Sequence, residues 1–196
     1  MLTIEQLNEI RSKMKDVVSN RYHGGNAEKS GFKRQVLVCG GTGCTSSGSK
    51  KILEILHEEL KKNGLENDIN VVRTGCFGLC SLGPVMIVYP EGSFYAKVEP
   101  EHVPEIVESH LKNGEVVKSL LYEQTVCDDG TIKALDETDF YRKQLRVALR
   151  NCGVIDPENI EEYIATDGYQ ALAKVLTSMT PDDVINTLID SGLRGR

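Results

Sequence analysis

The chain has 196 residues, 40% hydrophobic and 27% charged, and its 29 acidic side chains outnumber 23 basic ones for a net charge of −6. That length suits one medium domain with appendages or two small domains, and no basic stripe stands ready to neutralise nucleic-acid phosphates. No apolar run is long enough to span a membrane, and the charged stretch from Met1 to Tyr22 lacks the apolar core of a signal peptide. The cytoplasm is therefore the expected compartment, where six cysteines point to metal or redox chemistry rather than a disulfide framework.

Leu7, Ile10, Met14, Val17 and Val18 recur at the spacing of one helical face, with Thr3 and Gln6 placed as a capping box. This helix either packs on its own domain or docks on a partner subunit. His23-Gly24-Gly25-Asn26 reads as a linker. Gln35 to Val38 reads as a buried strand that runs into Cys39, followed by a glycine- and serine-rich loop from Gly40 to Gly48. Ile52, Leu53, Leu56 and Leu60 line one face of a helix closed by Asn63-Gly64. Ile69 to Val72 is a second strand, with Cys76 to Cys80 in the loop after it. Val85 to Tyr89 and Phe94 to Val98 form a hairpin across Pro90-Glu91-Gly92. Val103, Ile106, Val107 and Leu111 then face inward from a helix ending at Asn113-Gly114. The order β-α-β-β-β-α implies an α/β unit with one parallel crossover and one antiparallel hairpin. Beyond Glu115 the pattern weakens into a connector, with a turn at Asp128-Asp129-Gly130 and an arginine-rich helix expected from Tyr141 to Leu149. Short helices are expected at Ile160 to Ala165, Tyr169 to Leu176 and Val184 to Ile189, the last starting at Thr180-Pro181.

The chemistry sits in the cysteines. Cys39 and Cys44 are spaced C-x4-C, 31 residues intervene, and Cys76 and Cys80 follow as C-x3-C. Four thiolates, two for each iron, are what a [2Fe–2S] cluster takes. The glycines around them let backbone N–H groups approach the sulfurs and tune the potential. Ser47 or Ser49 is expected to cap the next helix and turn its positive end toward the cluster. Structural zinc also takes four cysteines, so a zinc-stabilised adaptor stays open.

A thioredoxin-type dithiol needs C-x-x-C, which is absent. Gly43 to Gly48 has phosphate-loop spacing, but Ser49-Lys50 inverts the required order. The dinucleotide fingerprint fails at Ser46, where a third glycine is required. Cys127 and Cys152 belong to no motif and read as buried or semi-buried thiols. The four histidines do not cluster, and His57 and His110 read as solvent-facing positions on helices.

Val38 to Cys44 and Thr74 to Cys80 resemble the thioredoxin-like [2Fe–2S] ferredoxin domain. That domain occurs in a small subunit of respiratory complex I and at the front of the flavin-bearing subunit of soluble NAD(P)-linked hydrogenases and formate dehydrogenases. Gly83-Pro84 and Pro90 to Tyr95 are similar to the second group. Arg150 to Pro157, Asp167 to Leu172, Met179-Thr180-Pro181 and Ser191 to Arg196 resemble the entrance of the flavin domain.

The resemblance implies an N-terminal helix and linker (1–30), a thioredoxin-like [2Fe–2S] domain (31–114), a connector (115–156) and the beginning of an FMN/NAD(H)-binding domain (157–196), truncated before the FMN loop. It implies Cys39, Cys44, Cys76 and Cys80 as cluster ligands, with Gly192, Gly195 and Arg196 at FMN in a complete subunit. It implies one-electron transfer within an NAD(P)H-linked hydrogenase, the electron-bifurcating kind included, or an NADH dehydrogenase. FMN, NAD(P)H and a [4Fe–4S] cluster belong to the full subunit, and this chain alone is expected not to catalyse. The implied partners are other subunits of a hydrogenase, formate dehydrogenase or NADH dehydrogenase complex. A stand-alone ferredoxin-like carrier is the alternative.

Overall fold

The computed structural model describes residues 2–21, 27–127 and 135–195. The linker at His23 to Asn26, the turn at Asp128 to Gly130 and Arg196 lie outside the described residues.

Helix α1 (Ile4–Ser19) starts at the expected capping box, in which Thr3 and Gln6 each accept the other's backbone N–H. A short α2 (Ala27–Ser30) leads to strand β1 (Arg34–Cys39). Two helices follow, α3 (Thr42–Ser46) and α4 (Ser49–Lys62), then β2 (Ile69–Thr74). Strands β3 (Met86–Tyr89) and β4 (Ser93–Tyr95) make the hairpin. Helix α5 (Val103–Glu105) widens into a π-helical stretch, Ile106–Lys112.

The sheet order is β2-β1-β3-β4, with β1 and β2 parallel and the other pairs antiparallel. Strand β1 is covered on both faces, so its apolar run is continuous. Its alternate side chains divide the interior. Val36 and Val38 join Ile52, Leu56, Leu60, Ile106 and Val107 beneath α4. Leu37 and Cys39 face Phe77, Ile87, Phe94 and Tyr141 on the other side. Cutting Ile52 or Leu56, both fully buried, back to Ala would cost about 2–5 kcal/mol.

After residue 135 come α6 (Asp139–Arg142), α7 (Ile160–Ala165), α8 (Gln170–Ser178) and α9 (Pro181–Asp190). Thr180 caps α9 in a capping box with Asp183. Helix α1 lies against α7, and the Arg21 guanidinium, 1% exposed, joins these parts. It holds Gln35 on β1 at 2.8 Å, the Val154 carbonyl at 2.9 Å, and both oxygens of Glu162 on α7 at 2.5 and 2.6 Å. Glu162 also accepts the Asp156 N–H at 2.7 Å.

Five expectations need correction. The loop expected from Gly40 to Gly48 contains helix α3 at Thr42–Ser46, with Gly41 at its N-cap. The arginine-rich helix from Tyr141 to Leu149 is only the four-residue α6, because apolar Leu145, Val147 and Leu149 face solvent and find no core to pack on. Strand β4 stops at Tyr95, where Lys97 takes a positive φ of 51° that breaks the ladder. Neither Ser47 nor Ser49 caps α4. Its N-cap is Gly48 at φ +100°, a sharp joint imposed because α3 ends immediately before it. His110 is fully buried against Tyr95 rather than solvent-facing, since the π-helical turn rotates it inward. His57 is exposed as expected.

Candidate metal centre

Strands β1 and β2 run parallel and end level, with Cys39 paired to Thr74. Both cysteine pairs therefore spring from the same end of the sheet. Cys39 closes β1, and its N–H reaches the Val85 carbonyl at 3.0 Å. Gly40 turns the chain by donating to the Thr74 carbonyl at 2.8 Å. A side chain at Gly40 would meet that same oxygen at 2.8 Å. Helix α3 carries Cys44 back under the turn. Cys76 follows β2, and Cys80 opens a single 3₁₀ turn, Cys80–Leu82.

The two halves interlock through glycines. An added Cβ at Gly41 would lie 3.1 Å from the Cys76 sulfur, and one at Gly83 would lie 2.6 Å from the Cys44 sulfur. One at Gly43 would lie 3.8 Å from the Cys80 sulfur. All four expected cysteines are thus brought together. They form two pairs: Cys39 and Cys44 are buried together at the end of β1 and in α3, and the sulfurs of Cys76 and Cys80 stand 3.9 Å apart. Among the described residues no three His, Cys, Asp or Glu side chains converge on a single-ion position.

Exposure grades across the site. Cys39 and Cys44 are buried, Cys76 is half-buried and Cys80 is exposed. Burial, with the neighbouring Cys39, pushes the Cys44 thiol up to about 12 against a backbone hydrogen bond from Val85. The Cys80 thiol is raised by its hydrogen bond to Cys76 and by that neighbour's charge. Crowded thiols of this kind give up their protons when a cation takes the proton's place. The Gly78 N–H donates to the Cys76 sulfur at 3.3 Å. Soft donors in two pairs, each close to glycine backbone, fit a cluster of two irons better than a single hard ion.

Several participants carried no sequence signal. The Tyr141 hydroxyl donates to the Phe77 carbonyl inside the Cys76–Cys80 loop. Gly153 backs onto the Phe77 ring, where an added Cβ would lie 2.5 Å away. Cys152 lies beside Gly75, half-buried, and Cys127 is half-buried elsewhere. Gly192 and Gly195 are exposed on the C-terminal segment, Gly192 at φ +67°, with open space around both.

Residues 5–111 match the family model of the thioredoxin-like [2Fe–2S] ferredoxins. The chain belongs to that family. It is 52% identical over 77 residues to a [2Fe–2S] ferredoxin of Clostridium pasteurianum, a span of 39% of this chain and 76% of that ferredoxin. It is 64% identical over 55 residues to subunit HndC of the NADP-reducing hydrogenase of Solidesulfovibrio fructosivorans, 28% of this chain and 11% of HndC. It is 44% identical over 50 residues to a subunit of the NADH-quinone oxidoreductase of Rhizobium meliloti, 26% of this chain and 12% of that subunit. The chain therefore spans most of a small ferredoxin but about a tenth of either large subunit. No helix among the described residues is long and apolar enough to cross a membrane.

Proposed function

We propose that Cys39, Cys44, Cys76 and Cys80 hold a [2Fe–2S] cluster and that the chain serves one-electron transfer in an NAD(P)H-linked hydrogenase or NADH dehydrogenase. The observation that carries this is the convergence of two thiol pairs on one end of the sheet. When bound, the cluster supplies a one-electron couple. The chain's own residues do the rest. Buried Cys39 and Cys44 keep water from one side, while exposed Cys80 leaves an edge where a partner's redox centre can approach.

In this reading residues 31–114 are the cluster domain, 1–30 and 115–156 flank it, and 157–196 begin an FMN/NAD(H)-binding domain. Gly192, Gly195 and Arg196 would lie near the FMN phosphate of the complete subunit. The identity to HndC and the motifs between Arg150 and Arg196 support this assignment. The partners would be other subunits of such a complex, in the cytoplasm.

A stand-alone carrier is the second reading, favoured by the extent of identity to the clostridial ferredoxin. Anaerobic reconstitution followed by electron paramagnetic resonance of the dithionite-reduced chain tests the cluster. One spin per chain with two irons and two sulfides is the expected result. Zinc without iron or sulfide in anaerobically purified protein would turn the site into a structural one. Co-purification with a flavin- or hydrogenase-bearing subunit separates the complex from the free carrier.

A further inference from the structure

One peptide plane joins the cysteine loop to the segment that covers it. The Phe77 carbonyl accepts the Tyr141 hydroxyl, and the N–H of the same peptide, on Gly78, donates to the Cys76 sulfur at 3.3 Å. In a trans peptide the C=O and N–H point in opposite directions within one plane. Fixing the carbonyl therefore fixes where the N–H points. Gly78 itself offers no other hold. It is exposed, sits at φ +87° and has nothing within 4 Å of where a side chain would start.

Tyr141 is well anchored by comparison. It is 9% exposed, and the Arg146 guanidinium lies 4.5 Å from its ring centre. Arg146 also donates to the Cys152 carbonyl at 3.1 Å, which ties this tyrosine to the strip that carries Gly153 against Phe77. Thr74, two residues before Cys76, donates to the Ile155 carbonyl at 2.9 Å. Burial pushes the Tyr141 hydroxyl up to about 12, so it stays a donor across the working pH range. Tyr141 lies outside the family-matched residues 5–111.

We propose that Tyr141 is a positioning residue for the metal centre: by holding the Phe77 carbonyl it aims the Gly78 N–H at the Cys76 sulfur and so raises the reduction potential of the cluster. The proposal rests on the reading that these four cysteines hold a [2Fe–2S] cluster. A hydrogen bond to a ligand sulfur favours the reduced form, which carries the extra negative charge. Water reaching the loop would act in the same direction as that bond. Losing the bond and loosening the cover therefore shift the potential oppositely.

The test is an EPR-monitored redox titration of the cluster-loaded wild-type chain and Tyr141→Phe, which keeps the ring and removes only the hydroxyl. The expected result is a lower potential in the variant, by about tenfold in the one-electron reduction equilibrium, or about 59 mV. An unchanged or higher potential, with two irons retained, overturns the proposal whatever happens to thermal stability. A wild-type chain that loads no cluster overturns the underlying reading instead. If the variant does not fold, peptide-resolved hydrogen exchange on the loaded wild-type chain decides the matter. The exposed Gly78 amide is expected to be protected, and exchange at the open-chain rate overturns the proposal.

Discussion

A methyl group added at Gly83 would lie 2.6 Å from the sulfur of Cys44. Cys44 is 3% exposed, so its sulfur has no solvent into which to swing. Gly83→Ala is expected to lower bound iron and sulfide to less than half of wild type. Gly43→Ala is the matched control, because its Cβ meets the exposed Cys80 sulfur at an ordinary 3.8 Å and alanine suits helix α3. Iron and sulfide counted per chain after reconstitution decide between them. Equal loading of the two variants would mean that Cys44 is not confined by Gly83.

Serine in place of Cys39, Cys44, Cys76 or Cys80 removes a thiolate from the proposed ligand set. Each of these variants is expected to lose the native reduced-state EPR spectrum. Cys127→Ser and Cys152→Ser are expected to keep it, although Cys152 lies beside Gly75. A Cys152→Ser protein with an altered spectrum would add that thiol to the centre.

His110 bears on pH. It is fully buried, and the Tyr95 hydroxyl, which accepts the Val117 N–H at 3.2 Å, lies 2.8 Å from its Nδ1. Its Nε2 has no hydrogen-bond partner among the described residues. Burial holds its pKa down at about 4, against 6.5 ordinarily, with Glu91 pulling upward and Arg34 downward. As pH falls below about 6.5 the unfolded chain takes up a proton that the folded chain refuses. Stability is then lost down to about pH 4, by about 3 kcal/mol in all. His110→Gln is expected to flatten this slope. Anaerobic urea unfolding at several pH values between 7.5 and 5 reads the difference, and parallel curves for the two proteins would refute it.

The Arg21–Glu162 pair is buried and two-pronged, with both side chains at most 5% exposed. Removing one partner leaves the other charge buried and uncompensated, at a cost of about 3–5 kcal/mol. Glu162→Leu and Arg21→Met are each expected to destabilise by that order. The double variant is expected to recover a large part of the loss. A double-mutant cycle by denaturant unfolding measures it, and simple additivity would show that the two charges do not depend on each other.

Periodicity made the ferredoxin part legible. Ile52, Leu56 and Leu60 repeat on one face because α4 covers the sheet on one side only, and β1 is apolar from Val36 to Cys39 because it is covered on both. The cysteines were legible because each pair follows a strand. Arg21, Tyr141 and His110 were not. Each is defined by a partner remote in the chain or by an irregular helical turn, and neither leaves a local pattern. Arg21 finds Glu162 across 141 residues, and Tyr141 finds Phe77 across 64. The serine cap failed for another reason: Cys44 itself sits in a helix, which hands the junction to Gly48.

The level ends of β1 and β2 carry a further consequence. Cys39 and Thr74 occupy the same rung, so what places Cys76 beside the first pair is the return of β2 to that rung rather than the count of 31 residues between Cys44 and Cys76. An insertion at the exposed turn after α4 would leave both cysteine pairs where they are. The quantity that must be kept is the register of two neighbouring strands, and the number of residues between the pairs is free to drift. A scan for related centres keyed to a fixed distance between the two cysteine motifs would overlook chains that build the same corner with a longer or shorter crossover.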